Sequence, residues 1–274
     1  MPLLSVIAPF GFSFDPARFL SAYHTVGVRS ASYYRNESNQ PALKDVLAAA
    51  RAAGMSFDSM HGVFGFHLDP CSPDPEHRRH CLLVYEREGL LARDLGGPAV
   101  VVHPSAWNPD RKLIPALEAE TLSEPRWAPL DDFMRRLAEI GQRLGVTYLM
   151  ENQPLNCPLG HDWARLAEAV RAVGHPRIRV CLDTGHAHMC GDVVRAVRDT
   201  ADVVELFHVH DNNGSIDDHR MPGEGTIDWP AFARTLVELN INATRMVEVF
   251  YDEARVERLA RKGLKDTLKS ACAV

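Results

Sequence analysis

Nine side chains of the kinds that hold divalent cations close the C-terminal ends of successive apolar runs: His61, His103, Glu151, Asp183, His186, His208, Asp217, His219 and Glu248. Carboxylate oxygens and neutral imidazole nitrogens together suit Mn2+, Zn2+, Co2+ or Mg2+, and a mixed oxygen and nitrogen set does not choose among them. One such residue after a hydrophobic stretch is common. The same arrangement repeated from His61 to Glu248 points to a ring of strands whose ends converge on a metal centre. Glu151 follows Tyr148-Leu149-Met150, and Glu248 follows Met246-Val247. A carboxylate that ends so apolar a strand is costly to desolvate without a partner, and a metal ion or an arginine would serve. Two such carboxylates facing one axis form an acid/base pair whose charge a metal holds.

The segments differ in how specific they are. In Val180-Cys181-Leu182-Asp183-Thr184-Gly185-His186, a strand delivers Asp183 and the turn at Gly185 lets His186 come back toward it. Asp183 has a second possible role, as the N-cap of a following helix. In Phe207-His208-Val209-His210, the two imidazoles share one face of a strand, because side chains alternate with period two. Asp217 and His219 can likewise project together, although a loop so rich in His and Asp can also be simply solvated. His61 and His103 are single strand-end histidines, each open to a hydrogen-bonded core role. Cys181 reads as a core residue, and Cys190 stands near enough to the His-rich stretch to be a minor metal-contact candidate.

The elements that must position these residues follow from alternation. Apolar runs at 3–8, 26–32, 56–61, 99–103, 146–151, 178–183, 203–208 and 245–249 read as buried parallel strands. Amphipathic stretches at 41–53, 76–95, 131–144, 161–173, 228–239 and 251–264 read as helices, several stopped by glycine. Strand and helix in alternation predict an α/β fold, a single (β/α)8 TIM barrel domain over residues 1–274. Long loops are expected at 104–129 and 210–227, on the face where such barrels keep their active sites.

Composition narrows the function. The formal net charge is −6 and no block of lysine or arginine forms a nucleic-acid footprint. The six cysteines include no C-x-x-C pair and read as reduced thiols. The N-terminus lacks the pattern of a signal peptide and no apolar run would span a membrane, so a cytoplasmic enzyme is expected. G-x-S-x-G, P-loop and H-E-x-x-H motifs are absent, and Gly223-Glu224-Gly225 follows a loop, unlike a dinucleotide fingerprint.

The stretch Cys181-Leu182-Asp183-Thr184-Gly185-His186, and that from His208 through Asp228-Trp229, resemble the xylose isomerase-like barrel superfamily. The likeness runs from the His61 strand to the Glu248 strand. The superfamily includes sugar phosphate isomerases and epimerases, ketose 3-epimerases and AP endonuclease family 2. In its sugar branch, the resemblance implies one divalent metal on Glu151, Asp183, His208 and Glu248, with Glu151 and Glu248 moving the proton. In its endonuclease IV branch it implies three zinc ions, with His61, His103, His186, Asp217 and His219 as further ligands. This chain departs from both. Asn152-Gln153-Pro154-Leu155 replaces a glycine-bearing stretch, and Asn212-Asn213-Gly214 lacks the lysine of the DNA-repair enzymes. Gly214 also stands where the ketose 3-epimerases carry an arginine, for which Arg220 is the available substitute. The D-x-H-x-x-P-G-E-G loop is shared with many sugar-isomerase-like proteins.

The resulting expectation is a metal-dependent isomerase or epimerase of a sugar, sugar phosphate or polyol, working through an enediolate. Glu151 and Glu248 are its catalytic pair, and His61, His103, His186, His219 and Arg220 its substrate-binding residues. Its partner is a small sugar-like molecule; neither nucleic acid nor membrane is expected, and a homo-oligomer is open. The rivals are a lyase or dehydratase on the same scaffold, an AP endonuclease with a trinuclear zinc site, and a barrel that binds without turnover. Specificity is expected in loops 64–75, 105–129 and 212–225.

Overall fold

The structure is a computed structural model and describes residues 2–107 and 116–273. Eight parallel strands close on themselves in sequence order: β1 (Leu4–Phe10), β2 (Ser30–Arg35), β3 (Ser56–His61), β4 (Ala99–Val102), β5 (Thr147–Glu151), β6 (Ile178–Asp183), β7 (Val204–Val209) and β8 (Thr244–Val247). β8 returns to β1 through the register Leu4–Arg245, Ser5–Met246 and Val6–Val247. Helices follow the strands and cover the outside, as expected of a (β/α)8 barrel. Among the described residues no helix is long and apolar enough to cross a membrane.

Period-two alternation sorts each strand into two faces. Val100, Val102, Tyr148, Met150, Val180, Leu182, Phe207 and Val209 point outward into the core shared with the helices. Ile7, Val101, Leu149, Cys181, Leu206 and Met246 point inward and pack on one another inside the barrel. Counting two residues further along β4 to β8 gives His103, Glu151, Asp183, His208 and Glu248. The chemistry-bearing side chains are thus the next inward layer above an apolar plug.

Several expected boundaries shift. β2 starts at Ser30 because Val26 caps the helix Pro16–Thr25 and Gly27, at φ +101°, turns the chain. That helix was not expected, although Asp15 caps it and Pro16 opens it. Two short helices, Thr184–Cys190 and Val193–Thr200, fill the space between β6 and β7. The expected helix 251–264 is two, Glu253–Arg261 and Leu264–Cys272, broken at Gly263. β4 and β8 stop one residue short of His103 and Glu248, yet Glu248 still donates its N–H to the Val209 carbonyl at 3.1 Å. Of the expected loop 104–129, residues 108–115 lie outside the described residues. Most of the remainder is helical, in Ala116–Ser123 and the early start of Trp127–Leu144.

Candidate active site

The inward layer at the C-terminal ends of the strands forms the floor and one wall of a cavity of about 230 Å³. Its polar side carries His61, His103, Glu151, His186, Asp217, His219 and Glu248. Its lining also carries the rings of Tyr34, Phe64, Trp107 and Phe250, with Gln153, Pro154 and Asn156. Phe64 stacks on the His103 ring at 4.4 Å, and Tyr34 meets His61 edge-on at 5.6 Å.

His208 lies at the bottom, fully buried. Its Nδ1 is 2.8 Å from Glu151 Oε1, 3.0 Å from Glu248 Oε2 and 3.7 Å from Asp183 Oδ2. The other oxygen of Glu151 faces His103 Nε2 at 2.9 Å and His61 Nε2 at 3.6 Å. A second group centres on Asp217, whose Oδ2 lies 3.1 Å from His186 Nε2 and 3.3 Å from His219 Nε2. Seven of the nine residues expected to carry the chemistry thus line the cavity, and the other two, Asp183 and His208, are fully buried beside Glu151 and His186.

Asp183 takes the capping role open to it in sequence. Its Oδ1 accepts the His186 N–H at 2.7 Å and so caps the helix Thr184–Cys190, while its carboxylate also faces His208 and His210. Gly185 is required at this corner, since a Cβ there would lie 1.9 Å from the His210 ring.

The donor set fits a bound divalent cation. His61, His186 and His219 each place Nδ1 at 2.8–3.0 Å from a main-chain carbonyl, of Gly62, Asn152 and Glu248 respectively. A carbonyl only accepts, so each Nδ1 carries the proton and each Nε2 turns a lone pair toward Glu151 or Asp217. Lone pairs facing carboxylate oxygens need a proton or a cation between them. Among the described residues, the buried atoms His103 Nδ1, His208 Nε2 and Asp217 Oδ1 have no hydrogen-bond partner. Sets such as His61–His103–Glu151 and His61–His208–Glu248 bring ligand atoms within 4.8 Å of one another, as atoms sharing an ion about 2 Å from each would be. The cavity has no lysine or arginine among its described lining residues to balance the carboxylates. Cys181 also lies near Glu151 and His208, but burial pushes its thiol up to about 12, so it serves as floor.

Without a metal, protons do this balancing. Burial alone would raise the Glu151 carboxyl, but His208 and His103 hold it well below its usual range. Burial alone would lower the His219 imidazole, but Asp217 and Glu248 carry it up from 6.5 to about 9. Burial likewise opposes the shift of Glu248, which His208 and His219 bring down from 4.5 to about 2. A histidine raised in this way stabilises fully below 6.5 and ceases to as the pH rises through about 9. A carboxylate held at about 2 contributes above 4.5 and is lost as the pH falls through about 2. The metal-free protein is therefore expected to melt highest between pH 4.5 and 6.5 and to lose stability toward pH 9. Saturating metal should remove the alkaline loss, because the cation replaces the imidazole protons. Melting curves across that range, with and without metal, check this; a metal-free Tm that climbs toward pH 9 would contradict it.

A family model for the xylose isomerase-like TIM barrel matches residues 21–271. The chain belongs to that family. Among curated relatives, the uncharacterized protein MJ1311 of Methanocaldococcus jannaschii is 27% identical over 186 residues, covering 65% of this chain and 56% of that protein. The chain spans about half the length of the curated relatives it matches. Among solved structures, a D-tagatose 3-epimerase-like protein superposes with a TM-score of 0.77 at 22% identity, covering 100% of this chain and 99% of the other. D-allulose 3-epimerase from Methylomonas sp., in complex with D-allulose, gives 0.79 at 16% identity, covering 98% and 97%. These likenesses establish the barrel.

Within this xylose isomerase-like barrel, Arg220 is placed away from the cavity. Its guanidinium bonds Asp218 and the Glu224 carbonyl, because its backbone pairs with Asp211 and turns the side chain outward. The position that would substitute for the epimerases' arginine is thus spent on the loop itself. Cys190 points its thiol at the Gln153 carbonyl, 3.8 Å away. His210, which shares a strand face with His208 in the sequence but is not one of the nine expected ligands, places its Nε2 3.0 Å from both oxygens of Asp183. Asn152 had no expected role in the site, yet it clasps the Asp183 backbone through Oδ1 at 2.6 Å and Nδ2 at 3.1 Å.

Proposed function

We propose that this protein is a metal-dependent isomerase or epimerase of a sugar or related polyol. The observation that carries the reading is the pairing of Glu151 and Glu248. Both are buried, both line the cavity, and both reach the same nitrogen of His208. Glu151, Asp183, His208 and Glu248 would hold the cation, which would polarise a substrate carbonyl and its neighbouring hydroxyl. One glutamate takes the proton from the carbon beside the carbonyl, leaving an enediolate, and the other returns a proton to the opposite face or the adjacent carbon. His186 and His219 orient hydroxyls from the Asp217 side. Tyr34, Phe64, Trp107 and Phe250 cover the apolar face of the substrate and keep bulk water from the carbanionic carbon.

Incubating the metal-loaded protein in deuterated water with a panel of free ketoses, aldoses, ketose phosphates and inososes tests the reading. Incorporation of deuterium at the carbon beside the carbonyl, without loss of water, is expected for at least one member. Incorporation coupled to dehydration would move the assignment to a lyase using the same enediolate.

A second reading is favoured by the gathering of all nine ligand-type residues, which exceeds the needs of one cation. It is the trinuclear zinc centre of an AP endonuclease. An acidic chain and an aromatic cavity wall support it poorly. Nicking of abasic duplex DNA would establish it.

A further inference from the structure

The loop that leads from β7 to the helix Trp229–Glu238 carries Asp217 and His219, and one carboxylate fastens it. Asp211 is fully buried. Its Oδ1 accepts the N–H groups of Asn212 at 2.9 Å and Ile227 at 3.2 Å. Its Oδ2 accepts the Gly223 N–H and the Trp229 indole N–H, both at 2.8 Å. The Asp211 backbone pairs in both directions with Arg220, at 2.8 and 2.9 Å. These donors come from the start of the loop, from its turn and from the residues that lead into the helix Trp229–Glu238.

The glycines answer to the same joint. A Cβ on Gly225 would lie 2.3 Å from Asp211 Oδ1, and Gly223 takes φ +91° to present its N–H. On the outside, the Tyr251 hydroxyl donates to Glu224 and accepts the Met221 N–H at 3.2 Å, with Arg255 also on Glu224 at 2.9 Å. His219 sits between the two fastenings at φ +43°, a left-handed conformation that a free loop would relax.

We propose that Asp211 is a positioning residue: its carboxylate folds the Pro222-Gly223-Glu224-Gly225 turn and thereby sets Asp217 and His219 against His186 and Glu248. The inference rests on the reading of the cavity as a metal site. It assigns the P-G-E-G stretch to bracing and removes it from substrate contact.

Asp211→Asn tests the proposal, together with Gly225→Ala, which attacks the joint from the other side, and Ser215→Ala as an exposed control in the same loop. Two readouts are taken: tryptic cleavage after Arg220 in the full-length protein, and affinity and visible spectrum for Co2+. Both joint variants are expected to be cut about tenfold faster, and to bind Co2+ about 10- to 100-fold more weakly with an altered spectrum. Ser215→Ala should match wild type in both. If Asp211→Asn does not fold, Gly225→Ala decides by the same readouts. Wild-type cleavage, or faster cleavage with unchanged Co2+ affinity and spectrum, overturns the positioning role alone. Wild-type protein that takes up no Co2+ overturns the metal reading and the positioning role with it.

Discussion

Glu151→Gln is expected to lower substrate hydrogen exchange by about 10²- to 10⁴-fold at saturating metal, the usual loss when a general base is removed. The amide keeps the shape of the side chain but cannot take a proton. It also turns an NH2 group toward one of His208 Nδ1 and His103 Nε2, which now face the two carboxylate oxygens at 2.8 and 2.9 Å. Metal affinity should therefore fall as well, so the rate is read only after titrating the variant to saturation. Glu248→Gln should cost a comparable factor. The double variant should be little worse than either, because two groups that pass one proton act as a unit. Full exchange in Glu151→Gln with a substrate that the wild type turns over would sink the assignment of the pair.

Removing the metal should have the second large effect. The chelated protein is expected to lose exchange altogether and to recover it on adding Mn2+, Co2+ or Zn2+. Its Tm should fall on the order of 10 °C relative to protein holding metal at about 1,000 times its Kd. Elemental analysis of the purified protein separates the two functional readings. One metal per chain fits the His208 centre and the sugar branch, whereas three zinc ions would bring in the Asp217 and His61–His103 groups as ligands. A chelated protein as active and as stable as the untreated one would remove the cation from the mechanism.

The ring of strands could be read from the sequence because each strand is short, apolar and ended by a side chain that apolar surroundings do not tolerate alone. Parity then did most of the rest, since Leu149 to Glu151, Cys181 to Asp183 and Leu206 to His208 are each one inward step. The family was likewise legible, from the D-T-G-H and P-G-E-G stretches. Less legible were features fixed by distant chain segments. Phe64 and Trp107 reach the cavity on loops, where no periodicity announces which way a side chain turns. Asn152 looked like a departure from a glycine-bearing pattern, yet it splints the Asp183 backbone. Arg220 looked like a spare cation near the substrate, but its backbone pairing with Asp211 faces it outward. The helix Pro16–Thr25 was missed despite its Asp15 cap and its buried Phe19, Leu20 and Tyr23.

The apolar plug of Ile7, Val101, Leu149, Cys181, Leu206 and Met246 gives the cavity a blind end. Under the proposed reading, a sugar would enter and leave past the rings of Tyr34, Phe64, Trp107 and Phe250. While it filled the cavity, Glu151 and Glu248 would be screened from solvent protons. A hydrogen lifted from one carbon would then stay beside the molecule that lost it, and its return would compete with exchange against solvent. On that reading the barrel would set the isotopic memory of the reaction as well as its geometry.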